Sequence, residues 1–275
     1  MSSAPARTAG RAARNARRST ALRLLARSGY AASGVVHLLL GYLAVRVAFG
    51  SAPAGSADQA GVFRQLASTP GGVVLLWSVA VGFAALALWQ LAEAILGVPG
   101  PDAAKQTASR GKAAAKAVLY AVLAGTAARY AQGGTSGGSQ QEEGLTADLM
   151  AAPAGRWLVA AVGLVIVGVG VFHVVKGWRK TFLEDLRGTG GGAVGQAVVR
   201  TGQVGYAAKG VALGVLGGLF VAAAWTSDAE KAGGLDDALR TIRDQPYGTV
   251  LLVVVGIGIA AYGAYSFARA RYARL

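Results

Sequence analysis

The sequence predicts an all-α polytopic membrane protein, with six transmembrane helices forming three repeated helical hairpins in a pseudo-threefold arrangement. Three observations predict it. Long apolar stretches alternate with short charged ones, one two-helix pattern recurs three times in fixed register, and Lys and Arg collect on alternate connections. Charged residues make up 15% of the 275 and apolar ones 53%, with a mean hydropathy of +0.45. A soluble domain carries roughly 25% charged residues. A charge at the bilayer centre costs about 2.5–3.5 kcal/mol, so this uneven charge distribution suits a chain dissolved in lipid.

Six segments approach the roughly 20 apolar residues that a spanning helix needs: 29–49, 72–96, 113–130, 157–176, 204–225 and 249–267. The third is the weakest, short and alanine-rich with Lys116 near its start, and it rests on the repeat. Gly29-Tyr-Ala-Ala-Ser-Gly34 matches Gly205-Tyr-Ala-Ala-Lys-Gly210, and Lys112-Ala-Ala-Ala-Lys116-Ala117 is a looser middle copy. Arg27, Arg110 and Gln203 align at spacings of 83 and 93 residues, as do Pro70, Pro153 and Pro246. Each of those prolines opens a Pro-x-Gly and stands 43 residues after its Arg or Gln. One Pro-x-Gly signals only a helix start. Three in shared register signal duplication. The chain therefore divides into a basic arm over 1–26 and hairpins over 27–96, 110–180 and 203–272.

Nineteen of the 27 Lys and Arg fall on the N-terminal tail, the connections 97–116 and 176–203 and the C-terminal tail; seven fall on the other side, with nine of the 13 acids. The positive-inside rule then predicts a membrane protein with both termini cytoplasmic. This topology also explains the net charge of +14, so nucleic acid is not expected as a partner. The segments 61–66, 145–150 and 235–242 have apolar residues three or four apart and predict short amphipathic helices capping the outer side. Gly133–Gly138 and Gly188–Gly192 read as flexible connectors. Arg17-Arg18 before an apolar run has the look of a twin-arginine signal, but cleavage there would orphan half a repeat. Membrane lipid is the expected partner, with anionic lipid at the basic arm. A protein partner or a second copy of the chain is the other.

Three hairpins, each with a Gly-Tyr-Ala-Ala-x-Gly-type first helix and a Pro-x-Gly-led second helix, resemble the domain of unknown function 1206 family over roughly residues 22–272. The resemblance implies an actinobacterial plasma-membrane protein of six helices and supplies no catalytic residues. The middle copy departs from the pattern, with Lys112 and Ala117 where the others have Gly.

Candidate chemistry is sparse. The absence of cysteine excludes disulfides, thiolate metal sites and cysteine nucleophiles. His37 and His173 are candidates for haem or metal, but a count at 1.5 Å per residue puts them at different depths, so interhelical hydrogen bonding is expected instead. In repeat register, Glu93, Lys176 and Arg269 share one position and Ser33, Lys116 and Lys209 another, both near the cytoplasmic surface. Glu93 is expected to pair with Lys116 or Lys209, as a docking contact or a vestibule gate; interfacial snorkelling is the bland reading. Gly210-x3-Gly214 is a GxxxG spacing that serves close helix packing. The acid pairs Glu142-Glu143, Glu184-Asp185 and Asp236-Asp237 read as solvated loop surface. No enzyme, cofactor or metal is expected. The expected function is a non-catalytic membrane scaffold or accessory subunit, the alternative being a small channel or transporter with a path along the pseudo-threefold axis.

Overall fold

The computed structural model describes residues 20–52, 57–96, 103–134, 146–152, 154–228, 231–232 and 234–274. The basic arm over 1–19, the pair Glu142-Glu143 and most of the 133–138 connector lie outside the described residues. Among the described residues eight helices are bounded in chain order: α1 (Thr20–Ala48), α2 (Gln59–Ala67), α3 (Gly72–Leu96), α4 (Ala103–Ala131), α5 (Gly155–Trp178), α6 (Gly192–Thr226), α7 (Leu235–Arg243) and α8 (Gly248–Tyr272). A further helical turn covers 146–151, and a 3-10 turn covers Thr181–Asp185. Among the described residues no strand forms.

Among the described residues, five helices are long and apolar enough to cross a membrane, α1, α3, α5, α6 and α8, so the chain is a multi-pass membrane protein. The sixth long helix, α4, has the length but not the composition. Helices α1 and α6 begin nine and twelve residues before their apolar stretches do. Polar residues with adequate helix propensity continue the coil outward, and α6 runs out to Gly192, whose left-handed φ of +57° marks its start.

The Pro-x-Gly elements are more than helix starts. The middle residue is left-handed in all three repeats, at Gly71 (φ 76°), Ala154 (φ 60°) and Tyr247 (φ 61°). A Cβ on the following Gly72, Gly155 or Gly248 would overlap the carbonyl oxygen of Leu66, Leu149 or Arg243. Each turn thus folds its cap tightly onto the next long helix, and only glycine fits the third position.

The two long helices of one repeat are not each other's closest partners. The most extensive contacts join the second helix of one repeat to the first helix of another: α3 with α4, α5 with α6, and α8 with α1. Two of these seams use the same device. Gly34 and Gly41 on α1 face Gly263 and Gly256 on α8, while Gly210 and Gly217 on α6 face Gly170 and Gly163 on α5. A Cβ on seven of these eight would stand 2.5–3.0 Å from the carbonyl oxygen of a facing glycine, and one on Gly34 would stand 2.8 Å from Phe267. The four pairs occupy equivalent repeat positions. In the α3–α4 seam those positions hold Ala80, Ala87, Ala117 and Ala124. A spacing of seven keeps the same face toward a partner crossing at a shallow left-handed angle.

Within repeats, α1 packs on α3 and α6 on α8, whereas α4 and α5 touch at most glancingly. The long helices therefore form an open arc in the order α4, α3, α1, α8, α6, α5. One apolar core runs through it, with Leu40 and Leu43 of α1, Phe83 of α3, Ala127 and Tyr130 of α4, Ala212 of α6 and Leu252 of α8. The caps close one end. Helix α2 drives Phe63 into the core against Tyr130 (ring centroids 6.1 Å apart), and α7 buries Leu239 and Ile242.

The reading of Asp236 as loop surface is corrected here. It is 1% exposed, and its carboxylate accepts hydrogen bonds from the Ala57 amide (2.8 Å) and from Arg240 Nε (2.7 Å), tying the first cap to the third. Adjacent acids look solvated only until the fold supplies buried donors. Asp58 caps α2 by accepting from the Gly61 amide. At the opposite, basic end, the Arg187 amide donates to the Tyr272 carbonyl and the Arg274 amide to that of Asp185, fastening the C-terminal tail.

Candidate functional site

The charged positions singled out by repeat register converge at the basic end of the arc, around an aromatic cluster. Tyr206 of α6, Tyr262 and Tyr265 of α8 and Phe182 of the 3-10 turn form a buried group of their own. Tyr206 stacks on Phe182 at 5.4 Å and meets Tyr262 edge-on at 5.1 Å. Phe182 is fully buried; its ring occupies the space a Cβ on Gly202 would need.

His37 sits at the inner margin of this cluster, its ring 4.7 Å from that of Tyr262. Its Nδ1 lies 2.8 Å from the Ser33 carbonyl oxygen, which can only accept, so Nδ1 carries the proton. Nε2 is then the acceptor, and the Lys209 ammonium donates to it at 3.2 Å. Lys209 also stands 4.4 Å over the Tyr262 ring, a cation–π contact that replaces part of its hydration. The one acceptor lone pair of the ring, on Nε2, is thus engaged by Lys209. His173 gives its Nδ1 proton to the Val169 carbonyl at 2.8 Å and lies 5.7 Å from the Tyr206 ring. The two histidines bracket the pair Tyr262–Tyr206.

Lys176 is held by Asp185 at 2.7 Å and lies 5.4 Å over the Tyr206 ring. Arg269, equivalent to it in register, stands 4.4 Å over Tyr30. Lys116 lies within electrostatic reach of Glu93, Arg269, Lys176 and Asp185. Glu93 is thus among the charges that act on Lys116, while Lys209 is engaged by His37. The Nε atoms of Arg27 and Arg269 are buried with no hydrogen-bond partner among the described residues. Sequence reasoning missed the tyrosines, Phe182 and the role of Asp185. A signal existed for two of them, since Tyr30 and Tyr206 hold the same place in the repeated Gly-Tyr-Ala-Ala. Phe182 and Asp185 lie beyond the apolar stretch, and nothing local marks them.

At the cap end, Arg156, Trp157, Ala160, Val221, Ala224 and Trp225 line a shallow open hollow of about 260 Å³. Trp157 and Trp225 are 64% and 85% exposed there, and Trp178 is 84% exposed at the basic end. Exposed tryptophans at both ends of the apolar band match the aromatic belts of membrane interfaces. Among the described residues no group of three or more His, Asp or Glu side chains could hold a metal ion.

Comparison with known proteins adds a family and a relative. The family described as Domain of Unknown Function (DUF1206) matches at residues 28–97, 111–180 and 204–273, starts that repeat the 83- and 93-residue register. The uncharacterized protein YxxB of Bacillus subtilis (strain 168) is 28% identical over 249 residues, covering 90% of this chain and 89% of its own. No solved structure matches.

Proposed function

Because the chain belongs to the family described as Domain of Unknown Function (DUF1206), whose description names no activity, we infer its role from the geometry: a non-catalytic membrane scaffold or accessory subunit. It resides in the plasma membrane and crosses it six times, α4 included. The repeats stand about a pseudo-threefold axis, with the basic end and both termini in the cytoplasm. The equivalent placing of the three inter-repeat seams supports the axis, and the basic excess at one end supports the orientation.

The observation that carries the scaffold reading is the filled centre. One apolar core joins α1, α3, α4, α6 and α8, with cap residues Phe63 and Leu239 plugged into it. Partners are lipid, anionic lipid at the basic arm, and a protein subunit or second copy. A small channel or transporter is the second reading, favoured by the polar file Lys176, Tyr206, Tyr262, Lys209 and His37. That file runs inward from the basic end, and Leu40, Leu43 and Ala44, all buried, lie beyond His37 on α1.

The test is flux and topology on the full chain. Proteoliposomes should leak protons, potassium and chloride no faster than empty vesicles, and a tag after Leu275 should report from the cytoplasm. Protein-dependent flux abolished by Lys209→Met would overturn the scaffold reading in favour of transport.

A further inference from the structure

The middle hairpin is open for a reason written in its residues. In the outer repeats, glycines let the two helices touch. Gly82 of α3 rests on Gly29 and Ala32 of α1; Gly258 of α8 rests on Ala208 of α6, and Gly205 on the Tyr262 backbone. The equivalent middle positions hold Lys112 in place of Gly29 and Gly205, and Val165 in place of Gly82 and Gly258. Side chains there keep α4 and α5 apart. The consequence shows in exposure: Leu119 is 55% exposed where its equivalents Val36 and Ala212 are 1% and 2%. Val169 is 40% exposed where Leu86 and Tyr262 are 0% and 6%.

The seam so formed is apolar along its length and cationic at its basic end. Leu119 and Val122 line it from α4, and Val165, Val169 and Phe172 from α5, all exposed. Lys112 and Lys116 stand at its mouth. Behind Lys116 lie Lys176, already bound by Asp185, and Arg269, whose buried Nε has no acceptor among the described residues. Glu93 is a further acid in electrostatic reach of Lys116. A long apolar slot ending in surplus cations, one with an unanswered donor, complements a single kind of molecule in a bilayer.

We propose that the α4–α5 seam holds an anionic phospholipid of the leaflet at the basic end, its phosphate against Lys116 and Arg269 and an acyl chain along Val165, Val169 and Phe172. The lipid takes the place that the glycine contact fills in the other two repeats. A free anion would satisfy the cations but leave the slot empty; a lipid satisfies both. The inference requires the membrane embedding and neither reading of the function.

The absence of native cysteine makes the test clean. A fluorophore is placed on Val169→Cys, and separately on Val254→Cys of α8, which is 61% exposed. The full chain is reconstituted in phosphatidylcholine vesicles, with either dibrominated phosphatidylglycerol or dibrominated phosphatidylcholine as quencher. At position 169 the expected preference for the anionic quencher is about tenfold or more, against about onefold at position 254. Lys116→Gln should lower the preference at 169 by about fivefold, the effect of one cation near the surface. Lys112→Gly with Val165→Gly should close the seam and remove quenching at 169. Equal preference at the two positions, or indifference to Lys116→Gln or to the closing pair, would overturn the proposal. So would loss of the preference to millimolar inorganic phosphate, which means a free anion site. Position 169 shielded from both lipids would also overturn it, since a protein segment then covers the seam.

Discussion

Replacing glycine by alanine should have opposite signs at different places in these helices, and the sign is set by what faces the missing Cβ. At Gly41 a methyl group would stand 2.5 Å from the Gly256 carbonyl oxygen, and at Gly217 it would stand 2.6 Å from that of Gly163. Both obstacles are backbone and cannot rotate away, so the helices must separate along a seam of interlocked glycines. Overpacking of this kind costs about 1–3 kcal/mol. At Gly125 of α4 and Gly168 of α5 nothing lies within 4 Å. There the same change only removes backbone freedom from the unfolded chain, a gain of about 0.5–1 kcal/mol. The two classes should therefore differ by about 2–4 kcal/mol. Thermal unfolding of the four single variants in one detergent, followed by circular dichroism, measures this as a rank order of midpoints. Gly125→Ala and Gly168→Ala should melt at or above the parent, and Gly41→Ala and Gly217→Ala well below it. Comparable losses at all four positions would refute the seam argument.

Asp236→Ala strips an acceptor from the Ala57 amide and a counterion from Arg240. It should cost about 3 kcal/mol and free the caps to protease, whereas Asp244→Ala, on an exposed pair, should cost almost nothing. Burial, together with the charge of Asp236, raises the pKa of Asp58 above its ordinary value against the pull of the Gly61 amide. Because the folded pKa is the higher one, ionisation of Asp58 removes stability as pH rises through it. Asp58→Asn keeps the cap and lacks the charge, so it should melt above the parent at pH 7 and lose that advantage by pH 4. Melts across that range check it. Oxidative cross-linking of engineered cysteine pairs should join residues 32 with 82 and 208 with 258 but leave 115 with 165 unjoined. Efficient joining of the middle pair would show a closed hairpin.

The repeat was legible because its register is arithmetic: spacings of 83 and 93 survive any divergence of side chains, and the family match falls on the same starts. The three caps were legible as amphipathic segments ahead of each proline. What the sequence hid was partnership. Two helices joined by a cap invite the assumption that they embrace, yet the closest contacts run between repeats. The GxxxG at Gly210 and Gly214 attracted attention, but a Cβ on Gly214 would meet nothing, and it is Gly210 with Gly217 that closes the seam. A spacing of four suits a right-handed crossing and a spacing of seven a left-handed one, and composition alone does not choose between them. The charged cluster was half legible. Register assigned Lys116, Lys209, Lys176, Arg269 and Glu93 to one end, but Lys209 chose His37, a neighbour visible only once α1 and α6 are both beside α8.

The seam between α1 and α8 also dictates an order of assembly. Helix α1 takes as its chief partner α8, which lies far later in the chain, so the three repeats must be threaded before that glycine face is covered. Until then α1 waits in lipid with its interlocking surface bare, and a chain stopped short of Gly248 never covers it. Quality control in the bilayer thus has a late event to inspect, the arrival of α8, and a product truncated before it announces itself through α1.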